Sequence, residues 1–489
     1  MDCVLNITTI PEITFSQGSE ADQLVVETPP NAHRPKITLR KMTEGLREII
    51  ESLQHTGASV PLMIGKTMQT EGPAGIGKLT HYLQVMSQNA LLRHTLNVDE
   101  VDWLTIEPTA VYYRFDEQAI AEDQQYMLSR FTCVRNDNGQ FILESPQGFA
   151  EVQIHSERVM SAIHHLAQPK TPAELQESCT GLCEDSAKML LLILANAGAL
   201  MASPDGSSEP DADDPVMKLW EFHDLLFHSR VRLGRHSRPY GGTYPYVDKF
   251  DSPPIVRPPL SDELIELYRP DIEQLKAEDV PFTQVLENRA SLREQGDPPL
   301  NIDQLGEFLF RSARIKSMTE AGGVSWRPSP GGGAIHELDI YPLVSNCDGI
   351  DSGLYHYNPL EHLLRKAANE SPMLNTLAQI ASITAQMDLP PQVLLLVTAR
   401  FQRIQIKYQS MAYAVMLKNL GALYQTFYLV SSAMGLSPTA LGGGHSDLFN
   451  QVTGINYYEE TTIGEFIINS RLPGDHSTAT PGARPVLPR

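Results

Sequence analysis

The sequence is short of positive charge. Its 489 residues carry 38 lysines and arginines against 59 aspartates and glutamates, a net charge of -21. A chain that neutralises nucleic-acid phosphates needs a basic footprint, so this balance argues against such a partner. Cysteine is scarce too. The five cysteines, Cys3, Cys133, Cys179, Cys183 and Cys347, are too few for a disulfide framework in a chain of this length. Cys179 and Cys183 are four apart, but no second Cys or His pair follows nearby to complete a four-ligand zinc site. They read as loop or core thiols, and no metal site is expected. Long apolar runs are missing as well. Residues 189–201 are too few to span a bilayer, and 411–434 is interrupted by Lys418, Asn419 and Gln425. Residues 1–20 contain acidic side chains and lack the basic start and apolar centre of a signal peptide. These absences point to a cytoplasmic chain with neither nucleic acid nor membrane as partner. What is present is 42% hydrophobic residues, ample for real cores, and length for roughly three domains.

Residues 1–36 lack a sustained pattern and read as an N-terminal arm. Leu46, Ile49, Ile50 and Leu53 then share one helical face behind a candidate N-cap, Thr43. Residues 60–64 suggest a short strand. The glycine-rich run Gly72-Pro73-Ala74-Gly75-Ile76-Gly77-Lys78-Leu79-Thr80 leads into a helix to about Leu92. It nearly matches a phosphate-binding loop, but that pattern needs a hydroxyl directly after the lysine, where this chain has Leu79. Slipping one residue to Thr80 turns the side chain by about 100° on a helix, so a glycine turn entering a helix is preferred. In the next block, 131–135 and 140–144 flank Asn136-Asp137-Asn138-Gly139, a hairpin signal. A third strand at 150–154 precedes a helix near Ser156. Thr171-Pro172-Ala173-Glu174 is a capping box, and a last helix from Glu184 stops at Gly198.

A hairpin with three helices is a winged-helix arrangement, and this block resembles the PqqD-like peptide-recognition domains of ribosomal peptide modification. The alternative is a packing domain with no ligand. DNA binding is disfavoured because the last helix offers Glu184, Asp185 and only Lys188. The expected organisation is an arm at 1–36, a winged-helix-like domain at 37–118 that is a degenerate second copy, and a peptide-recognition-like domain at 119–202. An acidic linker at 203–215, a large domain at 216–472 and a Pro/Ser/Thr-rich disordered tail at 473–489 complete it.

The large domain centres on Arg311-Ser312-Ala313-Arg314, followed by Arg327-Pro328-Ser329-Pro330-Gly331-Gly332-Gly333-Ala334-Ile335-His336 and a strand at 337–341. Helices are expected at 261–275 and 302–314. Strands are expected at 354–357, 392–398 and 466–468, and a long helix from Lys407 to about Met434. Two arginines three apart at a helix end can clamp an anion, and successive glycines let a backbone approach a flat or phosphorylated ligand. The alternatives are a solvated face and an ordinary loop. The stretch resembles the flavin-binding core of the nitroreductase fold and, more narrowly, the SagB/ThcOx-type azoline dehydrogenases. Trp220-Glu221-Phe222-His223 and Gly241-Gly242-Thr243-Tyr244 carry the same resemblance, as does Lys407-Tyr408. Where those proteins have serine directly before the glycines, this chain has Gly331, with Ser329 two residues earlier.

The resemblance implies an α+β class, a C-terminal nitroreductase-like FMN domain behind one or two winged-helix domains, and a homodimer. It implies an FMN-dependent oxidase that removes two hydrogens from thiazolines or oxazolines of an azoline-containing precursor peptide, with a cyclodehydratase as a possible partner. Arg311, Ser312 and Arg314 would hold the phosphate and ribityl chain. Gly331, Gly332 and Gly333 would line the flavin ring, with Ser329 beside them. His336 is either near the flavin or a strand-end histidine bonding backbone. Gln425, Leu441, Gly442 and Gly443 are further contacts. Lys407 and Tyr408 would carry the proton chemistry. Neither side chain is a base at neutral pH without help, and the start of a long helix disfavours a cation. An NAD(P)H-dependent nitro or quinone reductase and a non-catalytic scaffold for peptide and cyclase are the alternatives.

Overall fold

The structure, a computed structural model, describes residues 1–11, 13–28, 34–203, 206–207, 214–319 and 323–472. The tail at 473–489 lies outside the described residues, as does most of the 203–215 linker. The chain divides into two units, Met1–Tyr240 and Gly241–Arg489.

The first unit is built on a seven-stranded sheet. In spatial order its strands are Ala58–Ser59, Cys3–Thr9, Leu92–Val98, Val101–Pro108, Ala150–Ile154, Gln140–Glu144 and Cys133–Asp137. Every pairing is antiparallel. The expected hairpin forms as read. Asn138 (φ 52°) and Gly139 (φ 89°) take the left-handed conformation that a two-residue turn requires, and Asn136 Oδ1 accepts the Gly139 N–H at 2.9 Å. The three expected helices follow as Glu157–His165, Pro172–Ser178 and Glu184–Asn196. The first is capped by Ser156 and the second by the Thr171/Glu174 box. Gly198 (φ 67°) follows the third.

The partition expected for this half is different. The Ala150–Ile154 strand pairs with Val101–Pro108 on its other side. The boundary placed at 118/119 therefore runs through one continuous sheet. A three-stranded hairpin block would leave an open edge of unpaired backbone groups, and the 101–108 strand closes it. Residues 216–240 also belong to this unit rather than to the next. Arg230 is ion-paired to Glu144, and Arg235 Nη1 donates to the carbonyls of Pro146 and Gln147 at 3.1 and 3.2 Å.

A smaller sheet, Thr14–Gln17, Gln23–Glu27 and Ile37–Arg40, packs with helices Glu44–Ser52 and Val60–Gln88. The strand expected at 60–64 is instead the first turn of the second helix, with proline in its tolerated opening position. The glycine-rich run is no loop. Gly72 alone leaves helical geometry (φ 67°, ψ -168°), and Pro73 starts a second helical segment directly after it. Leu79 is buried in the core while Thr80 is exposed. The position where a phosphate-binding loop needs a hydroxyl thus faces apolar side chains.

The second unit holds another seven-stranded antiparallel sheet. Its order is Leu264–Glu266, Leu363–Asn369, Gly353–Asn358, Leu338–Val344, Val393–Arg400, Glu460–Asn469 and Ser437–Ala440. Both faces are covered. Leu338, Ile340 and Val344 join one core with helices Ile302–Ala313 and Ala412–Ala433, and Tyr341 and Leu343 join the opposite core with Pro372–Ala385. Burial on both sides explains why 392–398 reads as an unbroken apolar run. The helix expected at 261–275 resolves into a strand and the helix Ile272–Glu278, capped by Asp271 after Pro270. The long helix starts at Ala412, not Lys407. Ser410 adopts φ 60°, which breaks the helix before it begins, and Tyr408–Gln409 pair with Gly241–Gly242 instead. Among the described residues, no helix is long and apolar enough to cross a membrane.

His94, on a central strand of the first sheet, is 7% exposed, with its ring stacked on Phe115 at 3.9 Å and Nδ1 buried without a partner. Burial pulls its pKa from 6.5 down to about 4. The unfolded chain accepts a proton that the folded one refuses, so this stability is full above pH 6.5 and is lost as pH falls towards 4. The loss expected is on the order of 3 kcal/mol. Urea unfolding across that window should show the slope, and His94→Phe should flatten it; an unchanged slope would refute the assignment.

Candidate active site

The middle strand of the second sheet, Leu338–Val344, has every side chain buried, so the acidic residues at its start are buried with it. Glu337 is 0% exposed. Asn419, from the long helix, donates through Nδ2 to its two carboxylate oxygens at 2.8 and 3.2 Å. The same amide accepts the Gly332 N–H through Oδ1 at 3.0 Å. One asparagine therefore ties strand, helix and glycine loop together. Burial pushes the Glu337 pKa up, against the Asn419 bonds and the nearby Arg327 and Arg403.

Asp339 forms a second buried node. Arg400 Nε lies 3.0 Å and His356 Nε2 3.7 Å from its Oδ2. Burial alone would raise its pKa, but Arg400, His356 and Arg327 outweigh it and hold the carboxyl well below the usual range. Arg400 also donates to the carbonyls of Pro254 and Ile255 at 2.8 and 2.6 Å. Arg403 donates to Pro253 and, at 2.6 Å, to Ile335. These two arginines fasten the extended 253–257 segment and the end of the glycine loop to one strand terminus.

Beside these nodes lies a cavity lined by Ala313, Arg327, Ser329, Gly331, His336 and Asn419, among others. Arg327 is its distinctive group. Its Nε and Nη2 are buried and have no hydrogen-bond partner among the described residues, while Nη1 reaches the Leu338 carbonyl only at 3.5 Å. Burial pulls this guanidinium down to about 10, against Asp339, so it stays charged at neutral pH. His336 is held in left-handed geometry (φ 51°) and is pulled down to about 4 by burial and by Arg327 and Arg403, while a bond to the Ser325 backbone opposes them. That bond is the strand-end alternative of the sequence reading, and the residue also lines the cavity.

The glycine loop is a tight turn at Gly332–Ala334, with Gly333 at φ 63°. A Cβ on Gly333 would lie 2.6 Å from Lys407 Nζ and 3.0 Å from Tyr408 Oη. The missing side chain is what lets the loop meet that pair. Lys407 sits in the turn between Phe401–Gln405 and Tyr408–Gln409. Its Nζ lies 5.5 Å from the Tyr244 ring centroid and 5.2 Å from that of Tyr408. The Tyr244 N–H donates to the Lys407 carbonyl at 3.0 Å, and Thr243 Oγ1 donates to Gln409 at 2.6 Å. The Gly241-Gly242-Thr243-Tyr244 segment therefore frames the pair.

Other expected residues stand elsewhere. Arg311 is committed to Asp279 and Glu307 at 2.5 and 2.9 Å. Ser312 is buried and donates to the Phe308 carbonyl. Arg314 caps the helix, with Nη1 on the Phe310 carbonyl and its guanidinium 4.4 Å from the Phe310 ring centroid. Gln425 is exposed. It lies six residues beyond Asn419, about 240° round the helix from the cavity-lining face. Leu441 packs in the core, and Gly442 and Gly443 are exposed, following the edge strand Ser437–Ala440. None of these four lines the cavity. Arg327, Glu337, Asp339 and Asn419 stand in stretches the sequence already singled out, but carried no site role there. Asn419 did leave a signal, as a polar interruption of an apolar helical run.

Residues 288–464 match the nitroreductase family model, and 126–237 match that of the cyanobactin oxidase ThcOx. A protein named as a nitroreductase, MJ1384 of Methanocaldococcus jannaschii, is 26% identical over 40% of this chain and 93% of its own length. The trifolitoxin-processing protein TfxB of Rhizobium leguminosarum bv. trifolii is 26% identical over 29% of this chain and 38% of its own. By these matches the chain resembles the SagB/ThcOx-type oxidases of the nitroreductase family. Among solved structures, the Escherichia coli microcin synthetase McbBCD complex with truncated pro-MccB17 contains a chain that is 17% identical, with 50% of this chain and 91% of that one covered at a TM-score of 0.32.

FMN is the cofactor that the nitroreductase-family match implies, and the donor groups at this small cavity of about 20 Å³ suit part of it. A permanently charged guanidinium with two unpartnered buried N–H donors faces a cavity edged by glycine backbone. Arg327, Ser329, the amides of Gly331–Gly333 and Asn419 are the groups that would hold it. Arg327→Met removes those donors without emptying the space. It is expected to weaken FMN binding by about tenfold or more, read as flavin content after dialysis; full retention would exclude Arg327 from the cofactor site.

Proposed function

We propose that the chain removes two hydrogens from thiazoline or oxazoline rings of a ribosomally made peptide, giving thiazoles or oxazoles. The observation that carries the reading is the meeting of Lys407 Nζ and Tyr408 Oη with the backbone of Gly333. That meeting lies in a nitroreductase-family unit whose companion segment matches the ThcOx model. When bound, FMN supplies the two-electron oxidation. The chain's own task is to take the proton from the ring carbon that was the peptide Cα. Lys407 Nζ and Tyr408 Oη are the side-chain groups presented at that loop, and general-base assistance of this kind is worth about 100-fold or more. Gly333 and Tyr244 hold the lysine from two sides, so the proton-moving atoms are fixed before substrate arrives.

Incubated with an azoline peptide, the flavin-loaded protein should lower the peptide mass by about 2 Da for each ring, the two hydrogens lost. Lys407→Ala and Tyr408→Phe should each keep flavin and lose about 100-fold in turnover. If both variants turn over like the wild type with full flavin, the assignment fails. The match to nitroreductases favours one other reading, reduction of a nitro or quinone compound at the expense of NAD(P)H. Flavin bleached by NADPH but not by azoline peptide would select it.

The peptide needs a place to dock, and the first unit has a groove of suitable chemistry. Ile37–Arg40 is an edge strand, paired among the described residues only to Gln23–Glu27. Arg40 and Lys41 line an open groove of about 580 Å³ together with Lys78, His81 and Tyr82 of the Val60–Gln88 helix, from which Lys78 and Tyr82 donate to the Lys41 and Arg40 carbonyls. In a chain of net charge -21, this basic groove beside an open strand edge suits an extended acidic segment added as another strand. It lies in the segment read as a degenerate second copy, not in the 119–202 block. Lys78→Glu should weaken binding of an acidic leader-bearing precursor about tenfold, measured by calorimetry, and leave turnover of a leaderless azoline unchanged. Equal precursor affinity in wild type and variant would sink the docking site.

A further inference from the structure

Cys3 and Cys183 lie 180 positions apart in sequence, and their sulfurs are 3.5 Å apart. Cys3 opens the strand Cys3–Thr9. Cys183 is the N-cap of the 13-residue helix Glu184–Asn196, with its backbone N–H on Ser186 Oγ at 2.8 Å and its sulfur accepting the Ser186 N–H. Both residues are half-buried, so a small oxidant can reach them. The other three cysteines are free, with Cys179 and Cys347 buried. The two sulfurs of the pair are unequal. Burial raises Cys183, but the Ser186 bonds and the Cys3 thiol outweigh it and bring it below its ordinary value, whereas burial and Cys183 push Cys3 up to about 12. A sulfur at a helix N-terminus that accepts a backbone N–H is the better placed nucleophile.

We propose that Cys3 and Cys183 form an oxidisable dithiol, closed by a peroxide into a disulfide that fastens the first strand of the chain to the Glu184–Asn196 helix. The Cys183 thiolate attacks one peroxide oxygen. The O–O bond breaks, Cys183 becomes a sulfenic acid, and the departing hydroxide takes up the proton that the Cys183 thiol gave up. The Cys3 sulfur then attacks the Cys183 sulfur, the S–O bond breaks, and the hydroxyl leaves with the Cys3 proton as a second water. Two thiols are oxidised, one peroxide is reduced, and two waters form. The site does not depend on the azoline reading, since both residues lie in the first unit and neither lines the cavity of the second.

The test uses the full-length, FMN-loaded chain. After treatment with hydrogen peroxide and removal of the excess, titration of free thiols in denaturant should show two of the five lost. A non-reduced digest should contain one peptide pair joining Cys3 to Cys183, and dithiothreitol should restore all five. Cys183→Ser and Cys3→Ser should each abolish the linked pair. Retention of five thiols, oxidation confined to single sulfurs, or a linked pair through another cysteine would overturn the proposal on wild-type protein alone. A failed azoline assay would leave this result untouched.

Discussion

The second unit depends on one buried amide. Asn419 spends its donors on Glu337 and its acceptor on Gly332. A buried carboxylate without partners costs several kcal/mol, so the helix must present Asn419 where the strand ends, and the glycine loop must come to the same place. Shape alone would not fix this. Val415 and Leu423, one turn to either side, pack in the apolar core and would tolerate small slides of the helix. The amide would not, because each of its bonds is lost within a fraction of an ångström. A polar residue in an apolar face thereby sets the register of helix against strand, and so the height at which the glycines stand.

The arginines extend this logic outward. Arg400 and Arg403 are charges buried near a strand terminus, and each is answered by backbone carbonyls as well as by Asp339 or Glu337 nearby. Carbonyls from 253–255 and from Ile335 are thus recruited to the same cluster. Arg327 stands apart, because both its Nε and Nη2 lack a hydrogen-bond partner among the described residues, whereas Arg400 and Arg403 each leave only Nε without one. Leaving a guanidinium half-satisfied is expensive in an interior where its neighbours are paired. Such an imbalance marks the point where a ligand completes the network, and a phosphate or a flavin edge offers the acceptors that are missing.

Much of this was legible in the sequence, and the failures have physical causes. The hairpin, its Asn138-Gly139 turn, the Thr171/Glu174 box and the glycine after the last helix were readable because each is a local signal with a local cause. The helix face of Leu46, Ile49 and Ile50 was readable from period alone. The 118/119 boundary failed because pairing between Val101–Pro108 and Ala150–Ile154 is a long-range fact that no local pattern announces. Residues 60–64 failed because a short apolar run suits a strand or a helix start equally. Lys407 was expected at a helix terminus; a single left-handed residue, Ser410, moved that terminus to Ala412. The candidate site divides in the same way. The glycines and the Lys407-Tyr408 pair were readable as motifs, and the fold brings Gly333 beside that pair, whereas Arg327, Glu337 and Asn419 act through burial and partnership, which exist only once the chain has folded.

The loss of the helix-terminus argument changes how Lys407 must be understood. With four residues separating it from Ala412, the long helix cannot act on it through its first turn, where the dipole is felt. What acts on it is immediate packing: the bare Cα of Gly333 on one side and the rings of Tyr244 and Tyr408 on the other. Tyr244 itself stands at φ 54°, an unfavourable conformation for a bulky residue, and is kept there by its N–H on the Lys407 carbonyl. Strain of this kind persists only where the surroundings over-determine it. The two-stranded ribbon of Gly241–Gly242 with Tyr408–Gln409 supplies that over-determination, and Gly241 stands in it at φ 97°, a conformation that favours glycine. The placement of the lysine is thus a property of the ribbon and the glycine loop together.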